Sequence, residues 1–296
     1  MMRKSTTRCL LTIAGTDPSG AAGIQADLQV FRDLGYHGLS VISAVVSQNT
    51  VSVRGWQAIG REGLKGQLKA LLHDIPIAGI KLGMLPDVDT IEVVSEFIQR
   101  VRAVAAAENM PPIPVVLDPV MASGDGRYAL SKENTMQRAV ELLYAQTDVL
   151  TPNVPEAELL LGGKILTADE MLSAAERLLK LGPKSVLLKG GHLSAEPDFE
   201  LTDVFANADG ARLLEPLGRI NEDVRGTGCQ LASAIACGLA DGLPGLEAVD
   251  RARRYLNDLL HGPNRVRIGR GRSILVRPML PGFSPNATQV GRDDDS

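Results

Sequence analysis

Aromatic side chains make up only 3% of this 296-residue sequence, so its core cannot rest on stacked rings. Leu, Val, Ile and Ala must fill it, in short runs that suit a parallel sheet covered by helices on both faces. Cysteine is scarce too, with Cys9, Cys229 and Cys237 alone. An odd number without zinc-site spacing excludes a disulfide framework and makes a reducing cytoplasm the expected compartment. No apolar run is longer than a strand, so no membrane-spanning helix is expected, and the first run is too short for a secretory leader. Neither charge sign dominates, the formal net charge being −4. No basic stripe carries interleaved aromatics, which argues against nucleic acid as a partner. The cluster Arg265, Arg267, Arg270, Arg272 and Arg277 reads as a solvated loop or a patch that meets phosphate.

What is present is alternation. An apolar run at 10–14 ends in Gly15-Thr16-Asp17-Pro18-Ser19-Gly20. Ile24, Leu28, Phe31 and Leu34 follow at helical spacing, closed by Gly35. A second run, 39–46, ends in Ser47-Gln48-Asn49-Thr50, which completes a βαβ unit. Further strand-like runs lie at 80–84, 115–120, 148–151 and 185–188, with a helical pattern over 90–107. Two short runs around Asn207-Ala208-Asp209-Gly210 predict a β-hairpin. Helical patterns at 228–239 and near 245–260 follow. The order is that of an open α/β sheet in one domain over 1–285, with a frayed acidic tail over 286–296. In such sheets ligands sit at the carboxyl ends of the strands, where the small, polar and Gly-rich segments fall.

The segment Arg225-Gly226-Thr227-Gly228-Cys229 opens the apolar helix of Leu231, Ile235 and Leu239. Backbone N–H groups at a helix start lack partners and carry partial positive charge, and glycine lets an anion approach them. A transferring phosphoryl group needs such a cradle. Cys229 among those amides reads either as a favoured thiolate that acts as a base, or as a packed residue behind a capping loop. Cys9 and Cys237 read as structural. Asp27 can accept from a ligand amine, though a solvated helix residue is the simpler reading of the residues alone. Gln48 offers both donor and acceptor to a ring, or merely ends a strand with Asn49. Asp118, after a strongly apolar run, suits magnesium, directly or through water, with Glu156 sharing the task. A turn-capping Asp-Pro is the alternative. Lys189 can reach phosphates as a mobile point charge. His192 reads as loop structure and Trp56 as packing, while His37, His73 and His261 carry no role.

Six ordered segments are similar to those of the hydroxymethylpyrimidine and phosphomethylpyrimidine kinases of thiamine synthesis, in the ribokinase-like superfamily. They are 14–27, Lys81-Leu82-Gly83-Met84, Val116 to Met121, Thr151 to Glu156, Leu188 to His192, and Gly226-Thr227-Gly228-Cys229. The resemblance implies a three-layer α/β/α sandwich with a mostly parallel sheet, and ATP- and Mg²⁺-dependent phosphorylation of a pyrimidine hydroxymethyl group. It implies a pyrimidine site of Ala22, Asp27, Gln48, Met84 and Val120. Asn153, Glu156 and Lys189 match positions near the nucleotide phosphates and metal. Gly226, Thr227 and Gly228 match the anion hole. Cys229 stands where most of the superfamily has a catalytic aspartate. A homo-oligomer, a dimer, is the expected assembly. Departures are Val224-Arg225 where the family often has Thr-His, Gln230 in place of a small hydroxyl residue, Arg127 in place of a lysine, and the Arg-rich 267–272. Arg225 is expected to contact phosphate. A pyridoxal or pyridoxine kinase is the nearest alternative, and a non-catalytic ligand-binding regulator the more distant one.

Overall fold

The structure is a computed structural model that describes residues 8–72, 74–122, 128–132, 134–191, 202–218 and 222–277. Its elements in chain order are β1 (Cys9–Gly15), α1 (Gly23–Asp33), β2 (His37–Gln48), β3 (Val53–Ala58), α2 (Arg61–Leu72) and β4 (Ile77–Leu82). Next come α3 (Val88–Ala107), β5 (Val115–Leu117), α4 (Thr135–Leu142), β6 (Val149–Leu150), α5 (Val154–Leu161), α6 (Ala168–Leu179) and β7 (Ser185–Leu188). Then follow β8 (Val204–Asn207), β9 (Gly210–Leu213), β10 (Val224–Arg225), α7 (Thr227–Ala240), α8 (Gly245–His261), β11 (Arg265–Val266) and β12 (Ser273–Leu275).

Nine strands form one sheet in the order β3-β2-β1-β4-β5-β6-β7-β8-β9. The six from β2 to β7 pair in parallel, while β3 at one edge and β8–β9 at the other run antiparallel. β1 and β4–β7 are buried on both faces, whereas β2 exposes Ser40 and Val45, and alternation along the buried strands divides most of the core between the two faces of the sheet. Leu117, Leu150, Val186 and Leu188 face a cluster shared with α2, α3 and α6. Val116, Val149 and Leu187 face α7 and α8. This is the expected three-layer sandwich, and the predicted hairpin is β8–β9.

β4 and β5 end before their apolar runs do. β4 stops at Leu82 and β5 at Leu117, because Gly83 and Asp118-Pro119 turn the chain away from the sheet. Met84 and Val120, the residues expected in the pyrimidine site, lie on the turns beyond these two strands. The Arg-rich C-terminal stretch is folded rather than purely solvated. It forms β11 and β12, and β12 pairs with both β11 and β10 in a small second sheet. Arg265 and Arg272 ion-pair with Glu222 and Asp223 at 3.0 and 2.8 Å. Local signals start several helices. Asp87 caps α3 through the Thr90 N–H, and Asn153 with Glu156 forms a capping box on α5. Arg127, His73, His192 and the tail at 286–296 lie outside the described residues.

Candidate active site

The loop after β1, the ends of β2, β4, β5, β6 and β7, and the start of α7 meet at the carboxyl edge of the sheet. Gly226 is the hinge of that meeting. It is the N-cap of α7 with φ 81°, in the left-handed region. A Cβ there would lie 1.8 Å from the Ala21 carbonyl oxygen and 3.3 Å from Ala22 Cα, so only glycine lets the two loops touch. No side chain caps α7, and the Gln230 N–H is the one that bonds back to the Gly226 carbonyl. The amides of Thr227, Gly228 and Cys229 therefore keep their donors for something else.

One side of this loop packs on an apolar cluster. Met84 Sδ approaches to 2.9 Å, and Val46 to 3.1 Å, of where a Gly15 Cβ would be. Met84 clusters with Ala44, Val46, Leu130 and Val120, and its carbonyl accepts from Ser43 Oγ at 2.6 Å. Trp56 packs onto the same cluster and donates its Nε1–H to the Ala129 carbonyl at 3.0 Å. Gln48 follows an irregularity in the β2–β3 register, and its Nε2 donates to the Thr16 carbonyl at 3.0 Å. Ala22 is the N-cap of α1, its N–H held by Asp17 Oδ2 at 2.9 Å.

The other side is charged. Lys189, after β7, donates to Asp118 Oδ1 at 3.0 Å, and Thr151 Oγ1 reaches the same oxygen at 3.2 Å. A Cβ on Gly228 would lie 3.3 Å from Lys189 Nζ and 3.9 Å from Asp118 Oδ2, so the pair faces the α7 start directly. Lys189 is thus held rather than mobile. Burial opposes its charge, but the charges of Asp118 and Glu156 more than compensate and its pKa rises. Asn153 bridges to Lys189, and Glu156 Oε2 accepts the Asn153 N–H at 2.8 Å. Burial pushes the Glu156 carboxyl up to about 7, with Lys189 pulling it down and Asp118 pushing it further up. Among the described residues no group of three or more His, Cys, Asp or Glu converges on a metal position. The donor set still fits Mg²⁺, which binds through one or two carboxylates, water and phosphate oxygens. Asp118 has Oδ2 toward the Gly228 loop, whereas Glu156 is engaged in its capping box and would reach a metal only through water.

Two expectations are corrected. Asp27 is not a solvated helix residue: it is fully buried and accepts from Thr12 Oγ1 (2.6 Å), Lys81 Nζ (2.9 Å) and Ser233 Oγ (2.8 Å). Lys81 is equally buried and stays charged: desolvation opposes its charge, but Asp27, together with Cys229 and Asp118, more than compensates. Cys229, in turn, does not rest as a favoured thiolate. Desolvation pushes the thiol up to about 11, against the pull of Lys81 and of the Gly23 N–H that donates to its sulfur. Burial beats the helix start here because the neighbouring Asp118 and Asp27 also oppose a second negative charge. Cys9 and Cys237 are buried, as their structural reading requires.

The family model for phosphomethylpyrimidine kinase matches residues 17–275. The chain belongs to that family. A hydroxymethylpyrimidine/phosphomethylpyrimidine kinase of Rhizobium meliloti is 38% identical over 268 residues, covering 90% of this chain and 95% of that protein. A probable chloroplastic thiamine biosynthetic bifunctional enzyme of rice is 39% identical over 265 residues, covering 88% of this chain. The chain spans about half of such bifunctional relatives, 46% in the rice case. The crystal structure of a phosphomethylpyrimidine kinase from Clostridium difficile superposes with a TM-score of 0.72 at 35% identity, covering 86% of this chain and 100% of that one. A Bacillus subtilis pyridoxal kinase in an ADP complex gives 0.77 at 28%, covering 91% and 97%.

Sequence reasoning missed Asp17 and Lys81. Asp17 is wholly buried and ties the loop together through Ser19 N–H (2.9 Å), Ser19 Oγ (2.7 Å) and Ala22 N–H. Lys81 had a signal, a lone charge inside the apolar run Ile80-Lys81-Leu82, which implies a buried counter-ion. Arg225 was expected on phosphate. Its guanidinium instead turns to the ring side, where it meets Gln48 Oε1 and lies 3.5 Å from Asp17 Oδ2.

Proposed function

We propose that this protein is an ATP-dependent kinase that phosphorylates the hydroxymethyl group of an aminopyrimidine, and then the resulting monophosphate. The observation that carries the reading is the uncapped start of α7, set between the apolar cluster around Met84 and the Lys189–Asp118 pair. The ring lies between Met84 and Val120, with Gln48 reading its polar edge and Ala22 against its rim. The hydroxymethyl oxygen attacks the γ-phosphorus, and the bond from that phosphorus to the bridging oxygen of ADP breaks. The amides of Thr227, Gly228 and Cys229 meet the charge on the transferring oxygens, and Lys189, near Asn153, meets the phosphates on the other side. Magnesium, when bound with the nucleotide, neutralises phosphate charge. Asp118, and Glu156 through water, would hold it.

Cys229 takes the hydroxyl proton in its thiolate form. A thiolate whose conjugate acid titrates at about 11 is a strong base but a scarce one at neutral pH. The rate should therefore climb with pH towards that value. Assay with ATP-Mg²⁺ and hydroxymethylpyrimidine, separating mono- from diphosphate, tests the reading. Cys229→Ala should lose roughly 10²–10³ in kcat. Unchanged turnover in that variant, or a flat pH profile, would remove Cys229 from the role. The likeness to pyridoxal kinases carries a second reading, and faster turnover of pyridoxal than of the pyrimidine would establish it in place of the first.

A further inference from the structure

Arg225 stands where the family often has histidine, and its place in the structure gives it a different task from the expected one. A guanidinium can only donate hydrogen bonds, and a backbone carbonyl can only accept them. Arg225 donates to Gln48 Oε1, and Gln48 Nε2 donates to the Thr16 carbonyl at 3.0 Å. With the amide turned over, its NH₂ would face a cation and its oxygen would face a carbonyl oxygen. Both contacts would be repulsive. The carboxamide, otherwise free to flip about its last torsion, is locked one way.

Arg225 is itself held. Its side chain is 11% exposed, and its Nε lies 3.5 Å from Asp17 Oδ2. Asp17 is wholly buried and anchored by Ser19 and Ala22. The chain Ala22–Asp17–Arg225–Gln48–Thr16 thus runs from the α1 start through the α7 start to the end of β2. A locked amide keeps one N–H and one oxygen lone pair in a set order. A 4-aminopyrimidine edge has a ring nitrogen that accepts beside an amine that donates. Its 4-oxo analogue presents the reverse, a ring N–H beside a carbonyl.

We infer that Arg225 is a specificity-determining positioning residue: by fixing the Gln48 carboxamide it makes the pocket read an amino-substituted edge and reject an oxo-substituted one. This rests on the pyrimidine-kinase reading above. It places Arg225 on the ring side of the transfer, not on the nucleotide.

The test compares hydroxymethylpyrimidine with its 4-oxo analogue, by kcat/KM and by calorimetric binding, in wild type, Arg225→Met, Arg225→Lys, Gln48→Met and the Gln48→Met/Arg225→Met double variant. Wild type should prefer the amino compound by roughly 100-fold or more, since a reversed donor and acceptor leave polar groups unpaired. In Arg225→Met the preference should fall to under roughly tenfold, chiefly because KM for the amino compound rises while the oxo analogue gains. Arg225→Lys, a single point donor, should keep part of it. Gln48→Met has no amide to orient, so adding Arg225→Met to it should leave the amino-to-oxo ratio unmoved. A purely structural role would weaken both ligands together and leave the ratio unmoved, which overturns the inference, as does equal binding of both by the wild type. Binding needs no turnover, so a wild type that discriminates yet transfers no phosphate refutes the kinase reading alone.

Discussion

Lys81 and Asp27 form an ion pair at 2.9 Å in which neither side chain has any exposed surface. Removing one partner of such a pair leaves a bare charge in a low-dielectric interior and costs about 3–5 kcal/mol. Set against a whole-domain stability of about 5–15 kcal/mol, Lys81→Met should be among the most damaging single changes in this chain. Thr12 and Ser233 still donate to the Asp27 carboxylate, so the variant should fold, with a lower denaturation midpoint and an unchanged m-value. Asp27→Asn combined with Lys81→Met removes both charges and should recover most of the loss, to within about 1–2 kcal/mol of wild type. Acid should help the single variant. An unpaired buried carboxyl titrates above its ordinary value of about 3.9, so its penalty is absent below that value and grows as pH rises towards the raised one. The deficit of Lys81→Met should therefore narrow from pH 7 to pH 4. Urea titrations of the three proteins across this range decide the matter. A loss under about 1 kcal/mol in the single variant, or a double variant no more stable than the single, would refute the reasoning.

Gly226→Ala should abolish turnover and lower stability by more than about 1 kcal/mol, because its Cβ meets the Ala21 carbonyl oxygen at 1.8 Å and its φ is 81°. A variant with normal turnover would mean that the two loops do not need to touch. Glu156 has its folded-state pKa raised from 4.5 to about 7, so its stabilising share is full below 4.5 and is lost as pH rises through about 7. Glu156→Gln keeps a side chain able to serve the capping box and should flatten the stability profile in that window. An equal slope in both proteins, followed by thermal melts, would assign the titration to another group.

Relative to the wild-type kinase assay, the loss in Cys229→Ala and the altered ring preference in Arg225→Met should separate. The first should lower kcat on every substrate, because Cys229 meets the transferring proton whichever ring is bound. The second should act through KM and the choice of ring.

Much of this protein was fixed by local pattern. Alternating apolar runs and helical spacing set the α/β order, and Asn153 with Glu156 wrote its capping box into the sequence. The Gly-rich start of α7 marked an anion cradle, and the six segments together marked a family. Three matters belonged to the tertiary structure. Asp27 looked solvated because helical spacing says nothing of what packs against a face. Its fate was decided by Lys81 and Ser233, 54 and 206 residues away in sequence. The state of the Cys229 thiol turned on desolvation, a quantity that exists only once the chain has closed around it. Arg225 adjoins the anion cradle in sequence, yet its guanidinium pairs with Gln48, 177 residues away. Composition and spacing report which groups are available and which elements carry them. Which charge meets which partner is settled by the packing of strands and helices that are distant along the chain, because electrostatic and hydrogen-bond energies depend on separation and burial in space.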